Sequence, residues 1–123
     1  YFKRANLINF GYSIDYTESC RWEQYKKGGS YSMRKELNHF YQNHIDRKLV
    51  AVINMNDSFD PEKDGGKIML YEADRKRVPV DDIFYKKRGS IAVFNVFTGY
   101  EIEEVKCDNL QYLFCFCVGD KWR

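Results

Sequence analysis

The chain reads as an all-β domain, mainly antiparallel, compatible with a jelly roll and carrying little helix. Three observations lead to that reading. Segments 48–54, 67–71, 90–96 and 111–118 are dense in β-branched and aromatic residues, which suit half-buried pleated surfaces. Polar, glycine-bearing stretches separate them, a rhythm that fits a sandwich or barrel better than strand–helix–strand units. Aromatic residues make up 17% of the sequence, which suits an all-β core and would equally suit a recognition surface rich in Tyr and Trp.

Each element has its own signal. Residues 21–25 and 100–105 alternate weakly and read as strands. Segment 48–54 is nearly continuously apolar, the mark of a strand buried on both faces, and 67–71, 90–96 and 111–118 read the same way. Residues 56–66 carry Asp, Ser, Pro, Glu, Lys and the pair Gly65-Gly66, so they read as a polar loop. Residues 74–77 read as a turn, and 38–46 as a short helical turn or loop. Residues 1–20 lack clear periodicity and suggest edge structure or an incomplete amino-terminal element. The expected core comprises Leu49, Val50, Val52, Ile53, Ile68, Leu70, Ile91, Val93, Phe94, Leu113 and Phe114.

At 123 residues the chain is one domain, 1–123, with a single core. It opens at Tyr1 rather than Met, as a processed product or excised domain would. The formal net charge is +2 with acidic and basic residues interspersed, and no basic stripe interleaved with aromatics points to nucleic acid. Arg75-Lys76-Arg77 and Lys86-Lys87-Arg88 read as solvated runs beside turns, the sharper alternative being partner-contacting patches. No run of eighteen apolar residues points to a membrane span. Cys20, Cys107, Cys115 and Cys117 form no Cys-x-x-Cys pair and have no histidine at zinc-like spacing. They read as buried free thiols and hence as a cytoplasmic or other reducing compartment, with a disulfide involving Cys20 or Cys107 left open.

One ordered set of residues goes further. Tyr25, Gly28, Tyr31, the run Leu49-Val-Ala-Val-Ile-Asn-Met-Asn56, Gly65-Gly66 and Gly89-Ser-Ile-Ala-Val-Phe94 together resemble the iron- and 2-oxoglutarate-dependent dioxygenases, nearest their prolyl-4-hydroxylase-like branch. The resemblance covers roughly residues 21–118 and implies a double-stranded β-helix. It also implies a metal held by two histidines and a carboxylate, and these positions are altered. Where the family keeps His-x-Asp, this chain has Arg34-Lys35-Glu36; the distal histidine falls at Tyr100. The resemblance places the co-substrate near Tyr25 and puts Gln111 where the family keeps a basic residue for its far carboxylate. A guanidinium has no lone pair for a metal and keeps its proton. Tyr ligates only as phenolate, and Gln supplies no charge to a carboxylate.

Other chemistry finds no better support. His39 lacks an acid two residues on, and His44 with Asp46 stands too near the central strand for the family's geometry. Gly28-Gly29-Ser30 has neither the spacing nor the lysine of a phosphate loop. Cys115 and Cys117 lie in an apolar strand where a thiolate is disfavoured, and adjacent Asp81-Asp82 would point to opposite faces. The expectation is therefore a catalytically degenerate 2-oxoglutarate-dioxygenase-like domain with no catalytic residue, no metal and no cofactor. It would act as a protein-binding or regulatory module, with Arg34 and Glu36 able to pair where iron once sat. The alternatives are a sensor of a small acidic ligand in the old co-substrate pocket, or an active hydroxylase using Fe(II) and 2-oxoglutarate.

Overall fold

The computed structural model describes residues 16–17, 20–34, 39–40, 45–71 and 76–120. Glu36, His44, Asp74, Arg75 and most of the expected amino-terminal element lie outside those residues. Among the described residues the elements run β1 (Tyr16–Thr17), β2 (Arg21–Tyr25), β3 (Tyr31–Arg34), β4 (His39–Phe40), β5 (Ile45–Asn54), α1 (Pro61–Asp64), β6 (Ile68–Tyr71), β7 (Arg77–Pro79), α2 (Ile83–Lys86), β8 (Ile91–Asn95), β9 (Gly99–Ile102) and β10 (Leu110–Asp120).

The strands form two antiparallel sheets. In the first, β10 lies beside β5; β1 and β2 pair with the far edge of β10, and β4 and β8 with the far edge of β5. The second runs β3-β9-β6-β7. From β2 to β10 the chain passes repeatedly between the two sheets, giving the mostly antiparallel β-helix that the sequence anticipates.

Alternation along β5 and β10 sets the interior. Val50 and Val52 pair with Phe116 and Phe114, and all four belong to the core between the sheets. The intervening residues point to the outer face: Leu49, Ala51, Cys115 and Cys117 are buried there, while Ile53 and Leu113 are half-buried. Burial on both sides explains why 48–54 reads as nearly continuous apolar sequence. The expected core is thus split. Val50, Val52, Ile68, Phe94 and Phe114 lie inside and Leu70 packs against them, whereas Ile53, Ile91, Val93 and Leu113 lie half-buried on the outer face.

Several local readings need correction. Within 38–46, His39–Phe40 is strand and β5 begins at Ile45, with His39 opposite Asp46; pairing with β5 overrides the turn-like composition. Inside the 56–66 loop, α1 starts at Pro61, and the Asp60 carboxylate accepts from the Glu62 N–H at 3.0 Å, an N-cap with Pro in the first turn. Helix α2 follows Asp81-Asp82 and buries Phe84 and Tyr85, a turn the sequence reading leaves out. Arg77 lies in β7 rather than in a turn. Cys20 and Cys115 are joined in a disulfide with a Cα–Cα distance of 4.5 Å, so only Cys107 and Cys117 are thiols. The reducing-compartment reading, which rested on four thiols, loses that support. Among the described residues no helix is long and apolar enough to cross a membrane.

Candidate functional site

Between the two sheets the described residues bring a set of buried aromatic side chains together. On β9 the inward residues are Tyr100 and Ile102, at 0% and 1% exposure. Tyr100 stands in the four-stranded sheet with Arg34 of β3 on one side and Leu70 of β6 on the other. Its ring crosses to the opposite sheet, 5.6 Å from the Phe94 ring of β8 and 5.7 Å from the Phe114 ring of β10. One side chain thus closes the two sheets onto each other.

A second aromatic group occupies the end of the interior nearer the loops. Tyr25, the last residue of β2, lies edge-on to Tyr112 at 6.3 Å; Tyr112 stacks on Phe84 at 6.1 Å, and Phe84 meets Tyr85 edge-on at 5.2 Å. Two phenols are anchored to backbone. Tyr112 donates to the Gly66 carbonyl at 2.7 Å, and the Tyr85 oxygen accepts from the Ile68 N–H at 2.9 Å. Burial pushes the Tyr85 phenol up to about 12, and burial also holds Tyr112 well above its ordinary value. Both remain neutral hydrogen-bonding groups at neutral pH.

Asn54, fully buried at the end of β5, organises the loops over this interior. Its amide donates to the Phe84 and Lys87 carbonyls at 3.1 and 3.3 Å, and its oxygen accepts from the backbone and side chain of Asn56, both at 2.9 Å. Asn56 in turn bonds the Gln111 backbone in both directions at 2.8 Å. The only sequence signal for this hub is two amides at the end of an apolar run. At the opposite end, the Arg21 guanidinium lies 5.2 Å from the Phe114 ring centre and that of Arg47 3.9 Å from the Phe116 ring centre, with Arg21 also paired to Glu23. Cationic stacking on β10 is invisible until the register of β2 and β5 is known.

The structure brings some of the anticipated positions together and separates others. Arg34 and Tyr100, from distant segments, stand directly opposite each other in the β3–β9 register. Tyr25 and Tyr100 both line the core. Gln111 does not join them: its strand neighbours Leu110 and Tyr112 take the inward positions, so alternation turns Gln111 to the outer face beside Gln24. Glu36 lies outside the described residues. Of the positions that the resemblance assigns to an iron site, 100 holds a ring packed on Phe94 and Phe114 and 34 an arginine, neither of which suits an Fe(II) ligand. Among the described residues no three His, Cys, Asp or Glu side chains come together as metal ligands would.

The same architecture occurs in solved oxygenases. The chain is similar to a prolyl-4-hydroxylase from Pseudomonas putida, with 20% identity, 98% of this chain and 61% of that one covered, and a TM-score of 0.70. A Trichoplax adhaerens prolyl hydroxylase, solved with a hypoxia inducible factor oxygen degradation domain peptide fragment, gives 17% identity, 97% and 51% coverage and a TM-score of 0.74. The viral collagen prolyl hydroxylase of Paramecium Bursaria Chlorella virus-1, in its 2-oxoglutarate complex, gives 14%, 98%, 70% and 0.64 respectively. At these identities the likeness is one of fold, and the chain spans between half and two thirds of the length of the first two. No protein-family model matches the chain, and no curated protein matches it in sequence.

Proposed function

For a chain with the fold of the prolyl-4-hydroxylase-like 2-oxoglutarate oxygenases, we propose that the domain has lost metal-dependent turnover and serves as a protein-binding or regulatory module. The observation that carries this reading is Tyr100. It occupies the position the resemblance gives to the distal histidine, and its ring is fully buried between Phe94 and Phe114. A metal-binding imidazole needs open coordination positions beside it; this ring packs on two others. Opposite it stands Arg34, a residue type without a lone pair to offer. A peptide-bound relative of the same fold supports a protein partner for the retained surface. The protein-partner reading is preferred to a pocket for a small acidic ligand because Tyr25, Tyr100 and Tyr112 are buried core residues.

The test is a succinate-release assay with Fe(II), ascorbate, 2-oxoglutarate and candidate proline-containing peptides. The reading expects release no higher than in the absence of protein. Co-substrate turnover that Glu36→Ala abolishes would contradict it.

A further inference from the structure

The disulfide joins an exposed residue to a buried one. One step beyond the Arg21–Phe114 pair, the β2–β10 register sets Cys20 opposite Cys115, and the two are bonded across 95 positions of sequence. Cys20 is exposed to solvent, whereas Cys115 is buried on the outer face of β10. Neither belongs to the core between the sheets. The bond stands where β1 gives way to β2, and both strands pair with the same edge of β10, β1 through Tyr16 with Val118 and Thr17 with Cys117. The two strands are held unequally. β2 pairs over five residues and ends on Tyr25 in the core, but β1 pairs over two. So short a stretch of edge pairing belongs to the low-stability end of a fold, where local opening costs little.

We propose that the Cys20–Cys115 bond is a redox switch that fastens β1 to the sheet. Exposed disulfides are the labile ones, and Cys20 is the end that a reductant reaches. One thiolate of a dithiol reductant attacks Cys20 Sγ. The S–S bond breaks, and Cys115 Sγ leaves as a thiolate and takes up a proton. The second thiol of the reductant then displaces Cys20 Sγ from the mixed disulfide, so one dithiol is oxidised to a disulfide as two protein thiols form. A disulfide oxidant reverses the exchange. The ring packing of the core takes no part, and β2 stays anchored at Tyr25. β1 loses the cross-link beside it and detaches, which opens the edge of β10 beyond Phe116 to another strand. The switch stands apart from the loss of turnover, because neither cysteine falls at a position assigned to iron or co-substrate.

Thiol counting and native-state hydrogen exchange of the 123-residue chain test this. Unfolded without reductant, the oxidised protein should offer alkylating reagent two thiols, Cys107 and Cys117. After dithiothreitol under native conditions it should offer all four cysteines. That reduction is expected to speed exchange in peptides covering 16–20 by about tenfold or more, while β6 and β9 exchange as before. Oxidised glutathione should restore the slow rate. Cys20→Ala, at an exposed position, should exchange fast there whatever the redox state, and Cys107→Ser should keep the response. Four reactive thiols in protein refolded in a glutathione redox buffer would overturn the proposal. So would a bond that opens only as the whole domain unfolds, or a reduced protein whose β1 exchanges no faster.

Discussion

Tyr85 shows how one side chain ties chemistry to architecture here. Its oxygen takes the Ile68 N–H while its ring packs between Phe59 and Phe84. Tyr85→Phe keeps the packing and strands a buried donor, so we expect a loss of about 1–3 kcal/mol in urea unfolding at neutral pH. The same residue predicts an alkaline limit. Its folded-state value, about 12, exceeds the ordinary 10.0, so the unfolded chain releases its proton first. The stability it confers is full below about pH 10 and is lost as the pH climbs towards 12, by about 2–3 kcal/mol. Tyr112 shifts in the same direction. Unfolding free energies measured on both sides of that window should fall with pH, and Tyr85→Phe should flatten the fall. Asn54 offers a sharper contrast: Asn54→Asp removes the donors to Phe84 and Lys87 and buries a charge, so it should cost more than Asn54→Ala in the same experiment. Neither residue's role could be read in the sequence, because both depend on partners some seventeen to thirty-three positions away. Arg34 and Tyr100, which the ordered motif assigns to one site, stand opposite each other in the β3–β9 register.

At the scale of elements, strand existence was legible and strand facing was not. The apolar runs of β5, β6, β8 and β10 announce themselves, but only register decides which alternate set looks inward. Gln111 is the instructive case: counting along the chain from Tyr100 reaches β10, while pairing with Gln24 puts it on the outer face. Neighbouring substitutions on β10 should separate the faces. Phe114→Ala, at 0% exposure, should cost about 3–5 kcal/mol, and Leu113→Ala on the outer face clearly less. Comparable losses would mean that the faces are assigned wrongly. The short helices escaped the sequence reading because a single turn has no periodicity to detect. The glycine pair, by contrast, was legible as a loop signal and proves to be a packing requirement. Gly65 sits at φ 72° and bridges Val105, and a Cβ there would collide with the Glu104 carbonyl. Gly65→Ala should therefore destabilise the domain by more than the ~1 kcal/mol of an ordinary left-handed glycine, read as a lowered thermal midpoint.

For the whole molecule, the β-helix brings β3 and β9 side by side and buries aromatic rings between its sheets. Tyr100 packs on Phe114 in one part of this interior and Tyr112 on Phe84 in another. The most direct test is anaerobic Fe(II) titration of the wild type beside the triple variant Arg34→His, Glu36→Asp, Tyr100→His, followed by calorimetry. The wild type should take up no stoichiometric iron, and the triple variant should gain measurable affinity where the backbone still opposes residues 34 and 100. One equivalent of iron bound by the wild type and lost in Glu36→Ala would contradict the account.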